Sequence, residues 1–121
     1  MSSLALWLGV GVLGGAASVA RFLLDRRVQA LALSRFPLGT FTVNVSGALV
    51  LGVLVGAGLS GDAFLLLGTA TIGSYTTFST WMLESQRLAE GGGRRLAALN
   101  LVVGLALGAG AIALGRLIGG G

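Results

Sequence analysis

The sequence predicts an all-α membrane protein: four transmembrane helices, the third of them broken, forming one domain over residues 1–121. Three observations predict it. Of the 121 residues 55% are hydrophobic and 10% charged, with a mean hydropathy of +0.94, whereas about a quarter of the residues in a typical soluble domain are charged. A soluble fold this small has more surface than so few charges can cover. The charges also divide the chain into four uncharged runs, 1–20, 36–61, 63–83 and 96–115, each near the ~20 residues that cross ~30 Å of hydrocarbon. Finally, one of those runs concentrates hydroxyls around a glycine, a composition that works against a continuous helix.

The first span is expected at residues 4–20, with Ser18 as its polar residue besides the starting serines. A cleaved signal peptide would need a basic start, and residues 1–6 carry no charge. The longest connection, 21–35, leaves no room for a soluble domain. The second span, 38–58, holds Thr40, Thr42, Asn44 and Ser46 in its first half, and the fourth, 96–117, holds Asn100 near its start as its only polar uncharged side chain. Among the 22 glycines, the pairs Gly11/Gly15, Gly52/Gly56 and Gly104/Gly108 are spaced to let helix backbones approach closely in lipid. Residues 91–93 read as a flexible turn and 119–121 as a frayed end. Four short helices enclose little volume, so an assembled oligomer is the expected working unit.

The third span, 63–83, contains Thr69, Thr71, Ser74, Tyr75, Thr76, Thr77, Ser79 and Thr80, with Gly73 inside the cluster. Its hydroxyls compete for backbone hydrogen bonds, and a break near residues 73–77 is expected. At membrane depth, backbone freed by a break is tolerated only where it is buried in protein or lines a wet cavity. It then offers carbonyls to a hard cation, or N–H groups to an anion.

Composition narrows the chemistry. The chain has no Cys, His or Lys, which removes thiol, imidazole and Schiff-base chemistry and argues against an enzyme. All eight positive charges are Arg; they lie between apolar runs and form no continuous patch, so no nucleic-acid surface is expected. No acid falls within a span: Asp25, Asp62, Glu84 and Glu90 sit at ends or in loops. The Asn44 amide, the hydroxyls of the third span and the positive edges of Phe78 and Trp81, three residues apart, favour a small anion over a cation.

Three segments carry a family resemblance: Gly14-Gly-Ala-Ala-Ser-Val-Ala-Arg21, Pro37-Leu-Gly-Thr-Phe-Thr-Val-Asn-Val-Ser-Gly47, and Gly73-Ser-Tyr-Thr-Thr-Phe-Ser-Thr80 followed by Glu84. On these the chain resembles the Fluc (CrcB) family of fluoride channels over nearly its whole length. The resemblance implies an antiparallel dimer in the cell membrane with the broken third helix at its centre. It implies a structural Na⁺ held by backbone carbonyls at positions corresponding to Gly73 and Thr76, and passive export of fluoride that lowers its toxicity. The fluoride path it implies runs past Asn44, Phe78 and Trp81, with Thr77, Ser79 and Thr80 beside them, and Arg21 and Glu84 are matched helix-end charges. Trp81 stands where the family has a second phenylalanine, and residues 101–115 of the fourth span lack the hydroxyls that active members offer there.

Arginine placement predicts orientation. The connections after spans one and three hold Arg21, Arg26, Arg27, Arg35, Arg87, Arg94 and Arg95, against Arg116 alone on the other side. That bias places both termini outside, and it suits pairing with an oppositely oriented homologous subunit better than a homodimer of freely inverting chains. The alternatives are a non-conducting structural half of a heterodimeric channel, and a small multidrug-type secondary transporter, which the absence of a carboxylate in residues 1–20 disfavours.

Overall fold

The computed structural model describes residues 2–33 and 36–121, and for residues 78–80 the backbone alone. Arg35 therefore lies outside the described residues, as do the side chains of Phe78, Ser79 and Thr80. The described chain is helical without strands: α1 (Ser3–Ala32), α2 (Leu38–Gly56), α3 (Gly61–Phe64), a π-helical stretch (Leu65–Ile72), α4 (Gly73–Tyr75), α5 (Phe78–Glu90) and α6 (Arg94–Gly119). Three of these, α1, α2 and α6, are long and apolar enough to cross a membrane.

Helix α1 begins where Ser2 Oγ accepts from the Ala5 N–H at 3.2 Å. It then runs on past residue 20 to Ala32, about 45 Å at 1.5 Å per residue. The segment expected to be a connection is thus mostly helix. Its charges end a hydrophobic run but do not end a helix, because Arg, Leu and Gln are good helix formers and Gln29 finds a partner. The Gln29 Oε1 accepts from the Gly39 N–H at 3.1 Å, and its Nε2 donates to the Phe36 carbonyl at 3.2 Å. Pro37 supplies no side-chain cap to α2, so a glutamine from α1 satisfies a donor at the start of α2 that would otherwise be orphaned.

Helices α2 and α6 form the tightest contact. A Cβ on Gly52 or Gly56 would run into main-chain atoms of Ile112 and Arg116, and one on Gly115 or Gly119 into main-chain atoms of Leu49 and Val53. Residues 49 and 53 thus face 115 and 119, while 52 and 56 face 112 and 116, so both numbers rise together and the two helices run parallel. Of the glycine pairs picked out by spacing, Gly52/Gly56 is used here. Gly11, Gly15 and Gly108 meet no atom within 4 Å, and Gly104 meets the Trp81 indole.

Between α2 and α6 the chain returns. Thr71 Oγ1 donates to the Leu66 carbonyl five residues back at 2.7 Å, a side-chain bond that accompanies the π-helical winding. Helix α4 stops at Tyr75; Thr76 is extended (φ −79°, ψ 160°), and helix resumes at Phe78. The turn at 91–93 is an ordered cap rather than a loose hinge. Gly92 takes φ 85°, its N–H donates to Ala89 O at 3.2 Å, and the Gly93 N–H donates to Leu88 O at 2.7 Å, a Schellman arrangement. The C-terminus is capped the same way: Gly120 takes φ 109° and the Gly121 N–H donates to Arg116 O at 2.8 Å.

Candidate functional site

The interruption after Tyr75 is held by one side chain. Asn44, on α2, donates from Nδ2 to the Thr77 carbonyl at 3.0 Å and accepts the Thr77 N–H on Oδ1 at 2.8 Å. In a continuous helix that N–H would go to Gly73 O, four residues back. The amide group of Asn therefore replaces the missing helical partner with a two-point clasp, which neither a carboxylate nor a hydroxyl can reproduce. On the helix side of the break, Thr76 folds back on itself: its N–H and its Oγ1 both donate to Ile72 O, at 2.9 and 3.0 Å. Ser46 Oγ donates to Val43 O at 3.1 Å and shares a 2.9 Å hydrogen bond with the Tyr75 hydroxyl. Gly47 makes room for this, since a Cβ there would strike Thr76 and Tyr75.

A pocket of about 230 Å³ opens beside the clasp, lined by Phe41, Asn44, Thr76, Thr77, Trp81 and Gly104 among others. Among the described residues, no charged side chain lines it. Trp81 is buried at 8% exposure, and its Nε1–H donates to the Asn100 carbonyl on α6 at 3.0 Å. The Asn100 side chain, 0% exposed, donates from Nδ2 to Ser85 Oγ at 2.7 Å, and Ser85 Oγ donates to Trp81 O at 2.9 Å. Asn100 Oδ1 has no partner among the described residues.

Of the site residues expected from sequence, the structure brings Asn44, Thr76, Thr77 and Trp81 to this pocket. Gly73 lies on a separate hollow that it shares with Thr76, Gly68 and Thr69. Glu84 is farther along α5, where it accepts a hydrogen bond from the Thr40 hydroxyl. It stands one residue beyond the third expected span. Burial pushes its carboxyl above the usual range; the Thr40 hydrogen bond opposes this, Asp25 adds to it and Arg87 opposes it. Arg21 is half-buried on α1 and is not among the residues that line this pocket. Gln29 and Ser85 carry no signal in the sequence. Asn100 carries one, as the one polar uncharged side chain in a long apolar run, and Gly104 carries one through its spacing from Gly108, although it meets an indole rather than another backbone.

Comparison with known proteins gives the geometry a family. Residues 8–116 match the family model described as CrcB-like protein, Camphor Resistance (CrcB). The chain belongs to the CrcB family. CrcB relatives align over almost its whole length. "Fluoride-specific ion channel FluC 2" of Mycolicibacterium paratuberculosis is 52% identical over 116 residues, covering 96% of this chain and 95% of that protein. The protein of the same name from Mycobacterium tuberculosis strain H37Rv is 51% identical, covering 96% and 92%. That of Haloarcula marismortui is 46% identical over 97 residues, covering 80% and 79%.

Proposed function

We propose that this CrcB chain is a subunit of a fluoride-selective channel that lets fluoride leave the cell passively, and that it is not an enzyme. The observation that carries the reading is the Asn44–Thr77 clasp beside a pocket without carboxylates. Fluoride is small and strongly hydrated, so a path for it must offer closely placed donors in place of water and keep negative charge away. The second Nδ2–H of Asn44, the hydroxyl of Thr77 and the ring of Trp81 border the path, and Phe78, Ser79 and Thr80 follow on the same segment.

Residues 63–83 make the fourth crossing, as an interrupted span. The parallel run of α2 and α6 supports this: a chain that leaves the end of one and enters the start of the other must travel back between them. Two such subunits pair in antiparallel fashion, with the interrupted segments at the centre. The donor set around Gly73 and Thr76 suits a structural Na⁺. Gly73 is exposed with no atom within 4 Å of its would-be Cβ, and the extended Thr76 turns its carbonyl away from the helical ladder. Their carbonyls would hold the ion, which supplies positive charge that fixes the break.

Efflux from fluoride-loaded liposomes, read with a fluoride electrode and set against chloride-loaded vesicles, tests the reading. Fluoride release without chloride release is expected. Absence of fluoride flux, both from this chain alone and with an oppositely oriented homologue, overturns it.

A further inference from the structure

Gly104 is the least conspicuous member of the pocket, yet it decides how Trp81 sits. A Cβ at Gly104 would stand 2.9 Å from Trp81 Nε1, 3.2 Å from Cε2 and 3.3 Å from Cζ2. That edge of the indole therefore rests on the bare backbone of α6. The same edge carries the N–H that donates to the Asn100 carbonyl at 3.0 Å, one helical turn before Gly104. The ring is buried, and Trp81 and Gly104 line the same pocket as Asn44 and Thr77. By contrast Gly108, the next glycine four residues on, meets no atom within 4 Å.

We propose that Gly104 is a positioning residue for Trp81: with no side chain beneath it, the indole lies against α6 with its N–H spent on the Asn100 carbonyl, and this seat sets the width of the passage beside the Asn44–Thr77 clasp. The proposal rests on the channel reading for its consequence, though not for the seat itself. A methyl group at position 104 must lift the ring, because a Cβ that close to ring atoms is far inside van der Waals contact. Lifting it strains or breaks the indole hydrogen bond and moves the ring toward Asn44. Conversely, a phenyl ring at position 81 lacks the Nε1–Cε2–Cζ2 edge and leaves room for the methyl. Gly104 and Trp81 are therefore coupled.

Two measurements test this. The first is the indole ¹H–¹⁵N resonance of Trp81, told from that of Trp7 with Trp7→Phe. In the native chain it should be shifted by its hydrogen bond and protected from exchange. Gly104→Ala should move it and speed its exchange, while Gly108→Ala should leave it in place. The second is fluoride efflux for Gly104→Ala in the native chain and in Trp81→Phe. The loss caused by Gly104→Ala should be roughly ten-fold beside the tryptophan and shrink to within about two-fold in the Trp81→Phe background. An unmoved resonance in Gly104→Ala, or an equal loss in both backgrounds, overturns the proposal. A native chain without any fluoride flux would instead sink the channel reading, and the resonance alone would then decide whether Gly104 seats the indole.

Discussion

Asn44 fits its position because an amide carries a donor and an acceptor on the same carbon. Thr77 presents its N–H and its carbonyl side by side where the helical run is interrupted, and the amide meets both. Asn44→Asp keeps the acceptor but turns a second oxygen toward the Thr77 carbonyl, and it adds negative charge beside the passage. Fluoride efflux from liposomes should fall by roughly ten-fold or more, since one charge-assisted contact is worth about 1.5–3 kcal/mol; unchanged efflux would remove Asn44 from the path. Glu84 makes a second residue-scale case. Thr40 is 1% exposed, and its hydroxyl is partnered by Glu84. Glu84→Gln keeps an acceptor there, whereas Glu84→Ala strands the hydroxyl and should cost about 1–3 kcal/mol in detergent unfolding. Because burial holds the Glu84 carboxyl above its ordinary value, the folded state favours the protonated form. Its contribution is complete below the ordinary glutamate range (~4.3) and is lost as pH rises through the raised value. Glu84→Gln should flatten that part of a Tm-against-pH curve. Asn44 and the hydroxyl cluster were legible in the sequence because polar groups in lipid need a reason to be there. The partners were not: Asn44 and Thr77 are 33 residues apart, and Trp81 meets a main-chain carbonyl, which every residue carries.

Glycine spacing shows the same limit among the helices. Gly52/Gly56 and Gly104/Gly108 have the same i, i+4 signature, yet only the first pair brings two helix backbones together; Gly104 meets a side chain and Gly108 meets no atom within 4 Å. Gly115→Ala should destabilise the fold by about 1–3 kcal/mol, since its methyl meets the α2 backbone and backbone cannot rotate aside. Gly108→Ala should stay within about 0.5 kcal/mol; equal effects in an unfolding titration would show that α2 and α6 are not held by this seam. The hydrophobic runs revealed α1, α2 and α6 because hydropathy reports what lipid will accept. They did not reveal that α1 continues to Ala32, nor that residues 65–72 wind as a π-helix. Those features depend on hydrogen-bond partners, Gln29 with the start of α2 and Thr71 with Leu66, rather than on burial. The non-helical Thr76 and Thr77 fall inside the stretch where glycine, β-branched residues and hydroxyls opposed a helix.

At the scale of the whole molecule, parallel α2 and α6 combine with the arginine bias into one statement about topology. In the proposed four-crossing topology the Gly91–Gly93 turn, flanked by Arg87, Arg94 and Arg95, lies on the positive side, and Ser2 and Gly121 lie on the other. The chain has no cysteine, so a single introduced thiol reports its location without background. Ser2→Cys and Gly91→Cys in separate chains, treated in intact cells with a membrane-impermeant maleimide, should divide cleanly: labelling of Ser2→Cys and none of Gly91→Cys until the cells are opened. If the subunits pair in the antiparallel fashion proposed above, such a fixed orientation requires the partner to be a different, oppositely inserted chain, because no copy of this one would be available in the inverted sense. Replacing Arg94 and Arg95 with Gln should then erode the asymmetry, since each arginine close to a span end contributes to the bias. Equal labelling of both native-charge variants in intact cells would mean that the chain inserts both ways. The heteromeric arrangement would fall, and the homodimer would be the channel.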